Sequence, residues 1–553
     1  MLIKELTGYL KPLSLAIGIF SLWSCDNGTR NPESLGVSHV VVIGFDGLSP
    51  DGLEKANTPT FDRLMEEGSS TMHARAVLPT SSSPNWASMI MGAGPEQHGI
   101  TSNAWEKDNL VLPAIVQSED FLFPTIFHTI DSQTEKAEIG AIYHWSGFGR
   151  LFEKRAIDFD ENTKSEEETA EVSANYILEK KPTFTFIHFD HVDHAGHEFG
   201  HGTPGYYASV EKADRLLAQV INAIEKAEMT NNTLVIISAD HGGLGKGHGG
   251  ETLQEIEIPF IVWGKSVKKS HKLVYPVYQY DNAATVAFAL GLKTPHAWIG
   301  RPVKNAFEGF GSVVDDYPVR EQLKEPVILP KGEGYKRAGG LFTETAEVYI
   351  KDPNISAEIR YTLDGSMPSK DSKPYEGSFK VDTNMVVKAA LFNNNKIKSM
   401  VTEAFYRITP KNAVKPVGYE VFYLDNLSYL PALSNKKPAL SGNSFEITSA
   451  EIGDRIKENT VIRFRTHIII DQSDSFTFYT RSDDGSQLLI NNKLVVDNDG
   501  DHGVREKEGK IDLKEGIHQL EVLWFNGGGD GWLDVYIESA NMPKQILPTT
   551  MLK

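Results

Sequence analysis

The chain has 553 residues and a formal net charge of −19, with 40% hydrophobic and 23% charged residues. Its length exceeds what one hydrophobic core supports and predicts three or four domains. The acidic balance excludes binding to nucleic acid or to an anionic membrane surface through charge, because both are themselves negative. Cys25 is the single cysteine, so intramolecular disulfide bonds are excluded as a source of stability.

The N-terminus predicts a cellular location. Two lysines precede an apolar stretch at residues 13–23, which is too short for a dependable membrane span and has the layout of a signal peptide. The four residues that end at Cys25 resemble a bacterial lipobox, in which the cysteine is lipidated. We therefore predict a lipoprotein signal peptide at residues 1–25, a polar tether at residues 26–36 and a lipid-anchored protein of the bacterial cell envelope, periplasmic or cell-surface. An ordinary secretory signal with a chance cysteine is the alternative.

Alternating strand-like and helical segments follow the tether. Helical patterns cover residues 59–67 and 207–227, and strand patterns include residues 138–143 and 256–263. Continuous apolar strands that alternate with amphipathic helices favour a mostly parallel sheet covered on both faces. The predicted fold class of this first domain, residues 37–328, is therefore α/β.

Three apolar runs in this domain each end in metal-binding side chains. The side chains after the three runs are, in chain order, Asp46; Asp193 and His197; and Asp240, His241 and His248. Each signal alone has a structural alternative, which is an Asp-Gly turn, a histidine-rich polar loop or a glycine-rich loop. Together they suit two borderline-soft cations such as Zn²⁺, with Mn²⁺ or Mg²⁺ as alternatives. We expect Asp193 and His197 to face one cation across a single turn in which Gly196 allows the bend.

The hydroxyl-rich run Thr80–Ser83 supplies a nucleophile between the first two runs. A hydroxyl beside two cations is readily ionised, and Ser82 is the candidate among the four. Pro84 suits the first turn of a helix beginning near Asn85, whose N-terminal N–H groups would face a phosphate. A capping or loop role for the hydroxyls is the alternative.

These segments resemble the alkaline phosphatase superfamily, specifically its type I phosphodiesterase/nucleotide pyrophosphatase branch, over roughly residues 37–305. The Pro-Asn stretch at residues 84–92 and the sequence PEQHGI at residues 95–100 carry much of the resemblance. It implies an alkaline-phosphatase-like sandwich that binds two Zn²⁺ ions. One ion would be held by Asp46, Ser82, Asp240 and His241, and the other by Asp193, His197 and His248.

The resemblance also implies a mechanism. Ser82 would attack phosphorus and form a phosphoseryl intermediate, which water then hydrolyses. Asn103 would hydrogen-bond a nonbridging phosphate oxygen, together with the helix start at Asn85. The family usually has Thr at the nucleophile position and His at the position of Trp86, so the sequence leaves the substrate open. Sulfatases need an Arg where Trp86 stands, which disfavours sulfatase activity.

The second half of the chain predicts two all-β domains. The helical period disappears after about residue 330, and short strands alternate with Asp, Asn, Gly and Pro turns. Residues 338–409 resemble the C-terminal β-sandwich of chitobiases and β-hexosaminidases. Residues 417–545 resemble the protective-antigen-type β-domain. Linkers are expected at residues 331–337 and 409–417 because of their Gly, Pro and charge content.

Two candidate sites lie in the last domain. Asp483 and Asp484 could hold Ca²⁺, since carboxylates suit that hard ion. Trp524, Asn526 and Trp532 surround a glycine-rich loop and could form a sugar platform. A turn and a set of core aromatics are the structural alternatives.

The sequence therefore predicts a metal-dependent hydrolase that acts on a small phosphate ester or diester, with a glycan as a candidate partner of the β-domains. Asn103 favours a phosphodiesterase over the alternative phosphomonoesterase. A glycan-binding surface lipoprotein with an inactive phosphatase-like domain is the alternative outside enzymes. The intact set of matched positions argues against that alternative.

Overall fold

The computed structural model describes residues 35–107, 111–311, 323–332, 336–354, 357–529 and 531–553. The predicted signal peptide, its Cys25 and nearly all of the tether lie outside these residues. Within the described ranges, no helix is both long enough and apolar enough to cross a membrane.

Eight strands form the central sheet of the first domain: β1 (His39–Phe45), β2 (Ser69–Arg75), β3 (Ile139–Tyr143), β4 (Phe159–Asn162), β5 (Phe184–Phe189), β6 (Thr233–Ala239), β7 (Glu257–Gly264) and β8 (His271–Lys272). Their order is β4-β3-β5-β1-β6-β7-β2-β8. The strands from β4 to β6 in this order are parallel, and β7 is antiparallel to both β6 and β2. The mostly parallel sheet predicted from the sequence is confirmed. The direction of β7 has no sequence signal, because a buried apolar strand has the same pattern either way.

Helices cover the sheet: α1 (Pro50–Lys55), α2 (Pro59–Glu66), α3 (Ser82–Met91), α4 (Pro95–His98), α5 (Ile126–Gln133), α6 (Glu166–Lys180), α7 (His191–Phe199), α8 (Pro204–Lys226), α9 (Leu253–Ile256) and α10 (Asp281–Ala289). The structure begins α8 three residues before the predicted start, because Thr203 caps it by accepting from the Tyr206 N–H. It also begins α3 at Ser82 and not near Asn85, so Pro84 lies inside the first turn.

The strands that carry the predicted ligands are the most buried part of the domain. Every residue of β5 and β6 is buried, and only the first residue of β1 is partly exposed. Each buried Val, Leu, Ile or Phe contributes roughly 1.5–3 kcal/mol of transfer free energy. The side chains at the ends of these strands are therefore attached to a rigid support.

The middle domain is a β-sandwich of two sheets. Its strands are β9 (Val327–Leu329), β10 (Ala338–Thr343), β11 (Ala346–Lys351), β12 (Glu358–Thr362), β13 (Lys373–Pro374), β14 (Phe379–Val381), β15 (Met385–Asn393), β16 (Lys396–Ile397) and β17 (Thr402–Thr409). One sheet has the order β10-β17-β15-β12-β13 with β16 beside β15, and the other has β14-β11-β9. A separate apolar core lies between them.

A second sandwich ends the chain. Its strands are β18 (Val417–Tyr423), β19 (Leu440–Ser444), β20 (Thr460–Ile470), β21 (Asp474–Asp483), β22 (Ser486–Ile490), β23 (Lys493–Asn498), β24 (Arg505–Leu513), β25 (Gly516–Asn526), β26 (Trp532–Ser539) and β27 (Met542–Ile546). The sheets are β19-β18-β20-β25-β22-β23 and β24-β21-β26-β27. The prediction of all-β structure in this half of the chain is confirmed. Arg407 of β17 pairs with Glu446 at 2.9 Å, and so joins the two sandwiches.

Candidate active site

The carboxyl ends of β1, β5 and β6 bring the predicted ligands to one edge of the sheet. The last residue of β1 pairs with the last residues of both β5 and β6. Asp46 and Asp240 directly follow β1 and β6, and Asp193 lies in the first turn of α7, just after β5. Parallel strands place these ends together, at the edge where open α/β sheets form their binding sites.

Asp193, His197 and His248 form the first ligand group, with ligand atoms within 4.8 Å of one another. His197 Nε2 lies 3.2 Å from Asp193 Oδ2, and His248 Nε2 lies 3.8 Å from Asp193 Oδ1. The expected bend at Gly196 is wrong, because α7 is helical through this position. Gly196 instead makes room for the His201 ring, which a Cβ would meet at 2.3 Å.

Asp46, Asp193 and His241 form the second group, with ligand atoms within 4.8 Å of one another, and Asp240 lies beside it. His241 Nε2 lies 3.4 Å from Asp46 Oδ1 and 3.2 Å from Asp240 Oδ2. The backbone N–H groups of Gly47 and His241 both donate to Asp240 Oδ1, which directs Oδ2 at the group. Gly47 has φ 69° and a Cβ there would lie 2.8 Å from Asp193 Cα, so only glycine fits. Asp193 belongs to both the first and the second group and therefore joins them.

The three predicted imidazole ligands all expose the same nitrogen. The Nδ1 atoms of His197, His241 and His248 lie 2.8, 2.8 and 2.9 Å from the main-chain oxygens of Lys246, Gly242 and Thr80. A carbonyl oxygen can only accept, so Nδ1 carries the proton and Nε2 keeps its lone pair. Metal-binding histidines are oriented in this way by a backbone partner on the second nitrogen.

Several ligand atoms at this edge are buried without a hydrogen-bond partner. They are Asp46 Oδ1, Asp193 Oδ1, Asp240 Oδ2 and His241 Nε2. Burial and, after it, repulsion from neighbouring carboxylates raise the pKa of Asp46 and of Asp240 well above the ordinary value. Burial also lowers the pKa of His241 well below its ordinary value. Leaving such atoms uncompensated is costly, and divalent cations would satisfy them, so the donor set fits divalent metal ions.

Two of the four hydroxyls in the run at residues 80–83 already support the fold. Thr80 Oγ1 donates to a main-chain oxygen of the loop after His248 at 2.7 Å and accepts from an N–H of the same loop at 3.0 Å. Ser83 Oγ accepts from Arg150 Nη2 at 3.0 Å. Ser82 is the first residue of α3 and is 6% exposed. No described residue hydrogen-bonds the Ser82 hydroxyl, which is consistent with a reactive role.

Asn85 fixes the segment before Ser82. Its Nδ2 donates to the main-chain oxygens of Val77, Pro79 and Ser81 at 3.0–3.2 Å, and its Oδ1 accepts from the Val77 N–H at 2.7 Å. The side chain is fully buried. Asn85 therefore positions the hydroxyl run. The prediction that the helix begins near Asn85 is wrong, because α3 begins at Ser82.

Asn103 lies beside the hydroxyl run. Its Oδ1 accepts from the Ser83 N–H at 2.8 Å, which leaves its Nδ2 as the donor for a ligand. Arg150 Nη2 donates to the main-chain oxygen of Asn103 at 2.5 Å as well as to Ser83 Oγ. The sequence reasoning missed Arg150, because it lies 47 residues further along the chain in a short 3₁₀ segment with no motif around it.

Trp86 stands where the resemblance leads one to expect a histidine, and it contacts Asp46. The buried indole donates from Nε1 to Asp46 Oδ2 at 3.0 Å. Gly44 lies beneath the ring, and a Cβ there would be 2.4 Å from Trp86 Cζ3. His188 Nε2 lies 3.4 Å from the same Asp46 oxygen, and Asp46, His188 and Asp190 form a third group within 4.8 Å. The sequence analysis assigned His188 no role, although its place at the end of β5 beside Gly44 was available as a signal.

The remaining histidines near α7 stay outside the ligand groups. His191, His194 and His201 belong to none of the three groups found in the described part of the chain.

The predicted calcium site and the predicted sugar platform of the last domain have fewer of the expected features than the ligand groups of the first domain. Asp484 is 4% exposed and accepts from two backbone N–H groups, at 2.7 and 3.0 Å. Within the described ranges, no group of three His, Cys, Asp or Glu ligand atoms contains Asp483 or Asp484. Trp524 and Asn526 are 0% and 1% exposed, so these two are core residues and cannot form the predicted sugar platform.

Three family models match the chain. Residues 40–245 match the type I phosphodiesterase / nucleotide pyrophosphatase model. Residues 337–403 match the chitobiase/β-hexosaminidase C-terminal domain, and residues 418–548 match the PA14 domain. These matches confirm the three resemblances over the matched regions, and the first supports the alkaline-phosphatase-like fold class.

Individual proteins are similar over the first domain. The venom phosphodiesterase CdcPDE of Crotalus durissus collilineatus is 26% identical over 232 residues, which are 39% of this chain and 27% of that protein. Ectonucleotide pyrophosphatase/phosphodiesterase family member 3 of Rattus norvegicus is 25% identical over 38% of this chain and 25% of its own length. The chain thus spans about a quarter of the length of these relatives. The structure of human ectonucleotide pyrophosphatase / phosphodiesterase 5 has a TM-score of 0.42 and 17% identity, and the match covers 49% of this chain and 100% of that chain.

Proposed function

We propose that the protein is a metal-dependent phosphoric ester hydrolase that prefers phosphodiesters. The observation that carries this proposal is the set of buried, unpartnered carboxylate and imidazole atoms at one sheet edge. The match of residues 40–245 to the type I phosphodiesterase / nucleotide pyrophosphatase model supports it, as do the names of the similar proteins. A nucleotide or another small phosphate ester is the substrate class that these names suggest.

Two Zn²⁺ ions are the proposed cofactors, with Mn²⁺ or Mg²⁺ as alternatives. Asp46, Ser82, Asp240 and His241 would hold the first, and Asp193, His197 and His248 would hold the second. Mixed carboxylate and imidazole donors are typical of catalytic zinc. When bound, the ions would lower the pKa of a hydroxyl and neutralise charge on the transferring phosphoryl group.

Ser82 is the proposed nucleophile. Its Oγ forms a bond to phosphorus while the ester oxygen on the opposite side leaves with its electron pair, which gives a phosphoseryl intermediate. Water then attacks the same phosphorus and releases Ser82. The Asn103 Nδ2 group donates to a nonbridging oxygen, in the orientation that the Ser83 N–H selects.

Metal analysis and paired assays test this function. We expect the purified full-length protein to retain about two equivalents of zinc and to hydrolyse bis-p-nitrophenyl phosphate faster than p-nitrophenyl phosphate. A faster rate on the monoester would instead favour a phosphomonoesterase. Absence of both bound metal and turnover would favour the remaining alternative, a glycan-binding protein with an inactive phosphatase-like domain.

We further propose a bacterial envelope location, periplasmic or cell-surface, with lipid attached at Cys25. Labelling with radioactive palmitate and its loss in Cys25→Ala would test the anchor. The β-domain matches support glycan binding by the C-terminal half. Asp483 and Asp484 stay a proposed Ca²⁺ site, supported by the buried Asp484 carboxylate. Loss of calcium binding in Asp484→Asn would test that site.

A further inference from the structure

Arg150 connects two parts of the candidate active site. It ends the 3₁₀ segment Ser146–Arg150, which follows the carboxyl end of β3. Because β3 is paired in parallel with β5, Arg150 lies at the edge of the sheet that carries the ligand groups. From there Arg150 Nη2 donates to Ser83 Oγ at 3.0 Å and to the main-chain oxygen of Asn103 at 2.5 Å. One guanidinium group therefore holds both the residue after Ser82 and the residue proposed to donate to the phosphate.

Further contacts fix the direction of this guanidinium group. Arg150 Nη1 donates to Glu106 Oε1 at 2.7 Å, in a salt bridge. Arg150 Cζ lies 5.9 Å from the centroid of the Trp145 ring, which is within the range of a cation–π contact. Arg150 Nε is buried without a hydrogen-bond partner, although an unpaired buried donor is costly. The Nη contacts therefore determine the orientation of the group, at the expense of Nε.

Glu106 comes directly after the turn that contains Asn103. The Trp105 N–H donates to the Ser102 carbonyl at 3.2 Å and closes this turn. Arg150 therefore contacts the segment twice, through the Asn103 main chain and through the Glu106 carboxylate. The Glu106 side chain is 52% exposed and the Arg150 side chain is 23% exposed, so water screens their charges only in part. The two contacts fix the position from which the Asn103 side chain reaches a ligand.

The pairing with Glu106 has an electrostatic consequence for the ester that binds. A phosphodiester carries one negative charge, whereas a phosphomonoester carries close to two above pH 7. A guanidinium group without a carboxylate partner would attract the doubly charged ester more strongly. The Glu106 carboxylate offsets the charge of Arg150, and the Asn103 amide is neutral. These three side chains together therefore carry no net charge toward the nonbridging oxygens.

We propose that Arg150 and Glu106 form a pair that makes the site selective for singly charged phosphodiesters. Arg150 is a positioning residue, because it acts through Asn103 and Ser83. Glu106 is a specificity-determining residue, because its carboxylate offsets the charge that would favour a monoester. The inference rests on the proposed phosphoesterase function and names the residues that determine the class of ester.

The test changes the charge of each member of the pair in turn. The measured quantity is an ester ratio, which is kcat/KM for p-nitrophenyl phosphate divided by kcat/KM for bis-p-nitrophenyl phosphate, with the zinc-loaded full-length protein at pH 8. We expect a ratio below one in the wild-type protein. Glu106→Gln should raise the ratio at least about threefold, because it leaves a cation without a partner. Arg150→Met should lower the ratio at least about threefold, because it leaves a carboxylate without a partner.

Arg63 and Glu225 provide matched controls. They form a salt bridge at 3.1 Å between α2 and α8, with both side chains 40% exposed. Glu225→Gln and Arg63→Met make the same changes of charge and should leave the ester ratio within about twofold. Arg150→Met should also lower kcat for the diester at least about tenfold, because Asn103 loses its support. Melting temperature and zinc content are measured for all four variants, and if Arg150→Met does not fold, Glu106→Gln and its control decide alone.

Opposite shifts of the ester ratio are the result that supports the pair, since a loosened structure would not move the ratio in opposite directions. A ratio unchanged in Glu106→Gln, or shifted in the same direction in both variants, overturns the pair and leaves the proposed hydrolase intact. An unchanged kcat in Arg150→Met overturns the positioning role. A wild-type ratio above one overturns the selectivity assigned to the pair. No hydrolysis of either ester by the wild-type protein overturns the proposed function and the inference with it.

Discussion

At the scale of single residues, Asp193 is the side chain that connects the candidate site. One of its oxygens faces His197 and the other faces His248, and it also lies within ligand distance of Asp46 and His241. His248 and His197, acting against the effect of burial, hold the pKa of Asp193 below its ordinary range. A charged carboxylate at this position can therefore contribute to both ligand groups.

Replacement of Asp193 should release more zinc than replacement of His197, which belongs to one ligand group only. We expect Asp193→Ala to retain well under one equivalent of zinc, because both groups lose a member. His197→Ala should retain about one equivalent, because only the first group is affected. Elemental analysis of the dialysed proteins measures this difference, and full retention of one ion by Asp193→Ala would contradict it.

Trp86 should act as a positioning residue through its hydrogen bond to Asp46. Trp86→Phe removes the Nε1 donor but keeps an aromatic ring. Loss of a residue that hydrogen-bonds a metal ligand typically costs about 10–100-fold in metal affinity or activity. Trp263→Phe is a matched control, since it removes an indole bond to Glu67 at 2.9 Å away from the ligand groups. The zinc dissociation constants of the two variants give the comparison. Equal zinc affinity in both variants would show that the Asp46 contact has no such role.

At the scale of elements, the start of α3 is where Ser82, the proposed nucleophile, is held. Asn85 makes four hydrogen bonds to the segment that precedes Ser82, and all of them are lost in Asn85→Ala. A buried polar group left unpaired costs about 1–3 kcal/mol. We therefore expect a lower melting temperature together with at least a tenfold loss of kcat.

A control separates the loss of stability from the loss of position in Asn85→Ala. Asn282→Ala in α10 removes a buried Asn that donates to the Gln279 carbonyl, outside the hydroxyl run. It should lower the melting temperature with kcat changed less than threefold. Equal losses of kcat in the two variants would mean that Asn85 supports folding alone.

The sequence predicted the elements of this site better than their local geometry. The apolar runs of β1, β5 and β6, and with them the candidate ligands that follow, were evident, because burial on both faces leaves a continuous hydrophobic pattern. The role of Gly196, the start of α3 and the hydrogen bonds of Asn85 were not evident. Each of these features depends on a residue that is remote in the chain or on a main-chain oxygen. Contacts of these two kinds cannot be recognised from the types of the neighbouring residues in the sequence.

The imidazole nitrogens illustrate the same limit. The sequence predicted His197, His241 and His248 as ligands, but the partners that select their Nδ1 protons are carbonyl groups. Any residue can supply a carbonyl. Likewise, Trp524 is of a residue type that often contacts sugars, and only the packing of β25 shows that it is fully buried.

At the scale of the whole molecule, a buried ion pair joins the two β-sandwiches. Burial raises the pKa of Glu446 to about 7, although Arg407 opposes the shift. The folded value is above the unfolded value of about 4.3, so the stabilising contribution is fully present below pH 4 and is lost as the pH rises through 7. Wild-type stability relative to Glu446→Gln should therefore fall between pH 4 and pH 8, by a free energy on the order of 3 kcal/mol.

Thermal unfolding at a series of pH values measures this change. Glu521→Gln is a suitable control, because it removes the partner of Arg465 in an ion pair in which the Arg465 side chain is 50% exposed. A wild-type to Glu446→Gln difference that stays constant from pH 4 to pH 8 would contradict the assignment.

The central claim is that Ser82, beside the two ligand groups, performs the phosphoryl transfer. The measurement that tests it most directly is the rate of bis-p-nitrophenyl phosphate hydrolysis by zinc-loaded Ser82→Ala and Ser81→Ala. In Ser82→Ala, kcat should fall at least about a thousandfold, while the zinc bound per chain differs from the wild-type value by less than one equivalent. In Ser81→Ala, kcat should fall less than tenfold. Full activity in Ser82→Ala, or the larger loss in Ser81→Ala, would contradict the claim.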